Sequence, residues 1–182
     1  YVAYHSRQQS IRMGNTFIDS SWPNDRSKDS KDGNYRSTQI NEATFSNGKF
    51  SCSGDMKGCS QIETLNPYNK VQAETMSNQT KNIVVDGLRD TTVRGAKGEW
   101  IKVTGANFNN GSDSITINAS STNGAAIKIC AGSPTGDVIG YAEIPGGGKM
   151  TEVTYPVNSI SGKKDVYFIF SGDVNFDWWQ FK

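Results

Sequence analysis

Chemistry requires particular side chains at particular spacings, and few such sets occur in this chain of 182 residues. His5 is the single histidine, so any Ser-His-Asp or Cys-His arrangement must use it. Neither a nucleophile elbow nor a papain-type cysteine context is present. There is no phosphate-cradling P-loop, no GxGxxG after a strand and no CxxC; Gly146-Gly147-Gly148 reads as a turn, because no helical pattern follows it. A glycosidase pair needs only two carboxylates ~5–10 Å apart, and no spacing among the 18 acidic residues singles one out. Gln72 and Glu74 are more suggestive. At i and i+2 of a strand pattern they project to one face, and Ca²⁺ accepts mixtures of carboxylate, amide and backbone carbonyl oxygens. Asp177 in the last strand pattern, and Asp86 in the turn after Ile83-Val84-Val85, could complete a cage; spacing alone favours reading Gln72, Glu74 and Asp177 as ordinary outward-facing strand residues. For sugars, Trp100, Tyr141, Tyr155, Tyr167, Trp178 and Trp179 offer flat faces for the C–H side of a pyranose. In alternating strands about half of these must serve the core.

The elements that hold these residues read as strands. Hydrophobic residues make up 35% of the chain and aromatics 10%, with 19 glycines, a mixture that suits short strands joined by Gly/Asn/Ser turns. Period-2 segments recur at Val71–Glu74, Glu99–Val103, Ser114–Ser120, Ala126–Cys130, Val138–Ile144, Glu152–Val157, Asp165–Phe170 and Phe176–Phe181. Turn chemistry separates them, which predicts an antiparallel sandwich or barrel. Residues 1–69 have a different texture: a strand over Tyr1–Ser6, a hairpin over Tyr35–Phe50 turning at Ser46-Asn47-Gly48, and a strand over Gln61–Leu65. That is too little to bury a core independently. A formal charge of +1 does not single out nucleic acid or an anionic membrane as a partner, and no apolar run approaches the ~20 residues of a spanning helix. Cys52 and Cys59 flank a loop short enough for a disulfide, which favours a secreted setting; Cys130 reads as a buried thiol. Tyr1-Val2-Ala3-Tyr4 reads as the middle of a strand, so the chain is expected to be an internal piece of a longer precursor.

Five motifs over residues 70–182 resemble family 6 carbohydrate-binding modules in order and spacing: Val71-Gln72-Ala73-Glu74, Gly98-Glu99-Trp100-Ile101-Lys102-Val103, Gly132-Ser133-Pro134-Thr135-Gly136, Val138-Ile139-Gly140 and Asn175-Phe176-Asp177-Trp178-Trp179-Gln180-Phe181. The resemblance implies an all-β jelly-roll sandwich carrying a structural calcium, with Gln72, Glu74 and Asp177 at the metal positions and Asp86 in an equivalent acidic slot. It also implies a polysaccharide ligand such as xylan or arabinoxylan. Residues 1–69 resemble the C-terminal end of a family 43 glycoside hydrolase through Tyr4-His5-Ser6-Arg7, Tyr35-Arg36-Ser37-Thr38-Gln39-Ile40-Asn41-Glu42 and Gln61-Ile62-Glu63-Thr64-Leu65-Asn66-Pro67-Tyr68. This implies a partial propeller blade, with His5 matching a histidine near a metal at the propeller axis. The catalytic carboxylates would lie in earlier blades, leaving the chain inert alone.

The family's loop-end cleft holds a sugar between two aromatics, yet the matching stretches, Thr91-Thr92-Val93-Arg94-Gly95 and Pro145-Gly146-Gly147-Gly148-Lys149-Met150, contain none. Asn175 matches the amide of that cleft. A second family site, on the concave face, centres on Trp100, with Cys130-Ala131 where an acid is usual. The expectation is a secreted, monomeric, non-catalytic module that recognises xylan or arabinoxylan for a tethered propeller. The alternative is a module that buttresses the propeller without binding sugar.

Overall fold

The computed structural model describes residues 2–6, 37–52, 63–86 and 91–182. The chain divides into two compact units, the second running through Glu63–Lys182. In the first, β1 (Val2–Ser6) pairs antiparallel with β2 (Ser37–Asn41), placing His5 opposite Thr38. The segment expected as one long hairpin is thus split between two pairings, and the hairpin itself is shorter. It joins β3 (Ala43–Ser46) to β4 (Lys49–Cys52). Asn47 and Gly48 both have positive φ, 49° and 72°, the backbone of a primed two-residue turn whose twist matches the strands. Cys52 ends β4 half-buried; Cys59, its expected partner, lies outside the described residues.

The second unit is a β-sandwich. It contains β5 (Val71–Gln72), a 3-10 turn over Ala73–Thr75, β6 (Asn78–Gln79), β7 (Val84–Asp86), β8 (Thr92–Gly95), β9 (Trp100–Ser120), β10 (Ala125–Ala131), β11 (Asp137–Ile144), β12 (Thr151–Phe170) and β13 (Val174–Phe181). Two pairs of expected strands are single long strands, β9 and β12, antiparallel along their whole length. The segments read as turns stay in the ladder through register shifts between Pro156 and Ile160, Ile160 and Gly162, and Lys164 and Val166. Gly111 and Gly162, both at φ 72°, sit at this bend and adopt a backbone that other residues resist. The ribbon thereby serves two sheets. In one, β11, β10, the C-terminal half of β12, the N-terminal half of β9 and β6 lie side by side. In the other, the remaining halves of β12 and β9 continue into β13, which is flanked on its far side by β8 and β5, with β7 on β8.

The inner faces meet in an aromatic core. Phe168 of the first sheet contacts Phe176 and Trp179 of the second, each with ring centroids 5.3 Å apart. Phe108 meets Phe181 edge-on at 4.9 Å. All five are fully buried, and edge-on pairs of this kind contribute ~0.5–1.5 kcal/mol each beyond their burial. The chain before β5 also belongs to this unit. The Leu65 N–H donates to Gly105 O, the Asn107 N–H to Leu65 O and the Phe181 N–H to Pro67 O. Of the strand expected over Gln61–Leu65, residues 61–62 lie outside the described ones, and Leu65 forms a single parallel bridge to Ala106. No helix among the described residues is long and apolar enough to cross a membrane.

Candidate functional site

Strand alternation was the reason for pairing Gln72 with Glu74, and the structure replaces it. β5 stops at Gln72, and Glu74 lies in the 3-10 turn, where the Thr75 hydroxyl donates to Gln72 O at 2.6 Å and the Met76 N–H to Ala73 O at 3.3 Å. A threonine able to bond back to the backbone closes a turn where period-2 reading continues a strand. The turn packs against β13 and β8, and Gln72 stands opposite Trp178 of β13. Next to Trp178, Asp177 is the extra residue of a bulge: Phe176 pairs with Ala119 and Trp178 with Asn118. Bulges re-aim side chains, and Asp177 Oδ2 accepts a 2.8 Å hydrogen bond from Asn118 Nδ2.

Glu74 Oε2 is buried with no hydrogen-bond partner, a costly condition for a carboxylate. A hard cation would relieve it. The carboxylate and amide oxygens of Gln72, Glu74 and Asp177 are of the donor type that calcium accepts. No cluster of three or more His, Cys, Asp or Glu side chains suited to a metal occurs among the described residues. Asp86 is the exposed last residue of β7, opposite Thr92, rather than part of a turn.

Trp100 opens β9 on the outer face of the first sheet, half-buried. Three hydrogen bonds tie its backbone to Thr80: its N–H donates to Thr80 Oγ1 at 3.0 Å, and the Thr80 N–H and hydroxyl donate to Trp100 O at 3.1 and 3.3 Å. Its ring meets Tyr167 edge-on, centroids 5.3 Å apart. Two residues along the same face, Lys102 Nζ stands 2.8 Å from Asp165 Oδ2 and 5.7 Å from the Tyr167 ring centroid. Burial opposes the charge on Asp165. The Lys102 ammonium, the Gly105 N–H at 3.0 Å and the Lys163 charge outweigh it, so the carboxyl is held below its ordinary range. The hydrogen bond to Asp165 raises Lys102, against the opposing effect of its own burial. Both stay charged and compensate each other. Cys130 is fully buried opposite Tyr167, and burial pushes its thiol up, so it supplies neither an acid nor a nucleophile. Sequence reading missed the Lys102–Asp165 pair. Lys102 was within reach, two residues beyond Trp100, but its partner lies in β12.

Asn175 lies in the other sheet, in register with Arg94 of β8 and Ser120 of β9, and its Nδ2 donates to Ser120 Oγ at 3.4 Å. The glycine loop is brought alongside: the Gly147 N–H donates to Thr122 O and the Gly148 N–H to Ser121 O, both at 2.9 Å. Thr92–Gly95, within the stretch that matches one side of the family's loop-end cleft, is strand β8. The two segments without aromatics thus do converge near Asn175, leaving amide, hydroxyl and guanidinium groups there. Trp100 and Asn175 occupy different sheets and form separate surfaces.

A β-sandwich that sets a half-buried tryptophan on an outer face beside a neutralised ion pair has the features of a ligand-binding module. Residues 61–182 match the carbohydrate binding module (family 6) model, and the chain belongs to that family. It is 30% identical over 167 residues to an arabinoxylan arabinofuranohydrolase of Paenibacillus polymyxa, covering 81% of this chain and 26% of the relative. Among solved structures, a glycoside hydrolase family 43 arabinoxylan arabinofuranohydrolase from Bacillus subtilis, in complex with cellotetraose, superposes with a TM-score of 0.72. It is 31% identical over 82% of this chain and 34% of that one. A family 6 carbohydrate-binding module from Clostridium cellulolyticum, in complex with xylose, gives a TM-score of 0.61 at 26% identity over 65% of this chain and 99% of that one. The chain thus spans about a quarter of the curated relative's length.

Proposed function

We propose that this chain is the non-catalytic, polysaccharide-binding part of a secreted glycoside hydrolase that degrades xylan or arabinoxylan. Residues 70–182 would be the binding module and residues 1–69 the end of the catalytic propeller. The observation that carries the reading is Trp100, its backbone hydrogen-bonded to Thr80 on an outer sheet face beside the self-neutralised Lys102–Asp165 pair. A flat aromatic beside polar groups of no net charge suits a neutral, ring-shaped ligand. The mechanism is passive: the sandwich, as a monomer, holds substrate and thereby raises the local concentration available to a tethered active site. Calcium bound at Gln72, Glu74 and Asp177 would neutralise the buried Glu74 oxygen. Those residues in turn join the 3-10 turn to β13.

Calorimetry and affinity electrophoresis of the full chain against xylan, arabinoxylan and cellulose test the reading. Binding to at least one is expected, with Trp100→Ala lowering affinity about tenfold or more, as the loss of one aromatic contact implies; Asn175→Ala reports the second surface. No binding to any of the three removes the proposal. The alternative, a module that buttresses the propeller, is favoured by the loop-end segments without aromatics.

A further inference from the structure

The outer face of the first sheet carries a second aromatic in line with Trp100. In β11, Tyr141 stands opposite Lys128 of β10. Lys128 stands opposite Ile169 of β12, and Ile169 opposite Trp100 of β9. Residues directly opposed in antiparallel strands share a face, so these four form one row running across the strands. Burial agrees: their neighbours Ile127, Ile129, Phe168, Ile101 and Ala142 are all fully buried in the core, as alternation requires. Tyr141 is 55% exposed. Lys128, Ile169 and Trp100 are half-buried.

Three strand spacings separate the two rings' backbones, about 14 Å at ~4.8 Å per spacing. That distance is too long for one sugar ring to touch both aromatics and suits an extended oligosaccharide. Between them, Ile169 offers an apolar floor and Lys128 a hydrogen-bond donor for hydroxyls.

Building on the proposed glycan-binding role, we propose that Tyr141 is a second stacking platform and that an extended β-linked glycan lies across the strands from Trp100 to Tyr141. Affinity then depends on chain length, because a disaccharide reaches one ring only. Loss of a single stacking contact corresponds to about tenfold in affinity.

The test is calorimetry of the full chain with linear β-1,4-xylo-oligosaccharides of two to six units and the matching cello-oligosaccharides. The wild-type protein is expected to bind the longest members at least tenfold tighter than the disaccharides. Tyr141→Ala is expected to abolish that gain while leaving disaccharide affinity unchanged, and Tyr141→Phe to restore it. Trp100→Ala should weaken every length. Because the Tyr141 side chain is 55% exposed, its variants should keep the wild-type melting temperature, which separates lost contact from lost fold. The proposal is overturned if Tyr141→Ala binds the long oligosaccharides as tightly as wild type, or if affinity does not rise with length. If wild type binds no oligosaccharide or polysaccharide at all, the underlying binding role falls as well, an outcome distinct from a Tyr141→Ala variant that behaves like wild type.

Discussion

Asp165 shows how one residue can serve both stability and surface chemistry. Its carboxylate accepts hydrogen bonds from Lys102 and the Gly105 N–H, linking β12 to β9 at a register shift. The folded carboxyl releases its proton at lower pH than the unfolded one. The stability it contributes is therefore present above the ordinary carboxylate range and lost as pH falls through the lowered folded value. Lys102, raised in the fold, contributes fully below the ordinary lysine range and loses that share as pH rises through its folded value. The pair is partly exposed, so its contribution is screened to about 1 kcal/mol or less. Asp165→Asn should accordingly lower the melting temperature modestly at neutral pH and flatten its fall on acidification; identical acid-melting profiles for variant and wild type would refute this. Trp100 itself was legible from the Gly-Glu-Trp motif. Its environment was not, because the groups around it are set by inter-strand register.

At the scale of elements, close approach between strands explains features that residue types alone do not. Gly95 ends β8, and a Cβ built there would stand 2.4 Å from Phe170 Cδ2 and 2.6 Å from Ile83 Cδ1. Both neighbours are buried and have little room to yield, so Gly95→Ala is an overpacking change of about 1–3 kcal/mol. Urea unfolding should show the midpoint fall with an unchanged slope; a variant as stable as wild type would mean that β8 shifts freely. Period-2 alternation located β5 and β9 to β13 of the sandwich but not the short strands β6, β7 and β8. It divided β9 and β12 because the bend of a continuous strand uses the same glycine and asparagine chemistry as a turn between two strands. It also carried β5 through Glu74, where a local threonine hydrogen bond diverts the chain into a 3-10 turn.

At the scale of the molecule, the Glu74 corner relates a buried orphan oxygen to overall stability. If calcium binds the folded chain alone, it adds stability by mass action, about 2.7 kcal/mol at a hundredfold excess over the dissociation constant. Chelation should then lower the melting temperature by several degrees, and Glu74→Gln or Asp177→Asn should remove that sensitivity. An unchanged melting curve in chelator, with no metal in elemental analysis, would exclude the site. Such a clamp matters in a sandwich whose second sheet carries the short strand β5 on the outer edge of β13.

Hydrophobic alternation and turn chemistry along the chain were sufficient for the all-β sandwich, and five short motifs for the family resemblance, because each depends on residues close in sequence. Register alone decided which distant residues meet: Lys102 with Asp165, Asn118 with Asp177 in its bulge, and Tyr141 in line with Trp100. A shift of one residue between strands reverses the faces of every pair, and that choice is made by core packing across the whole molecule.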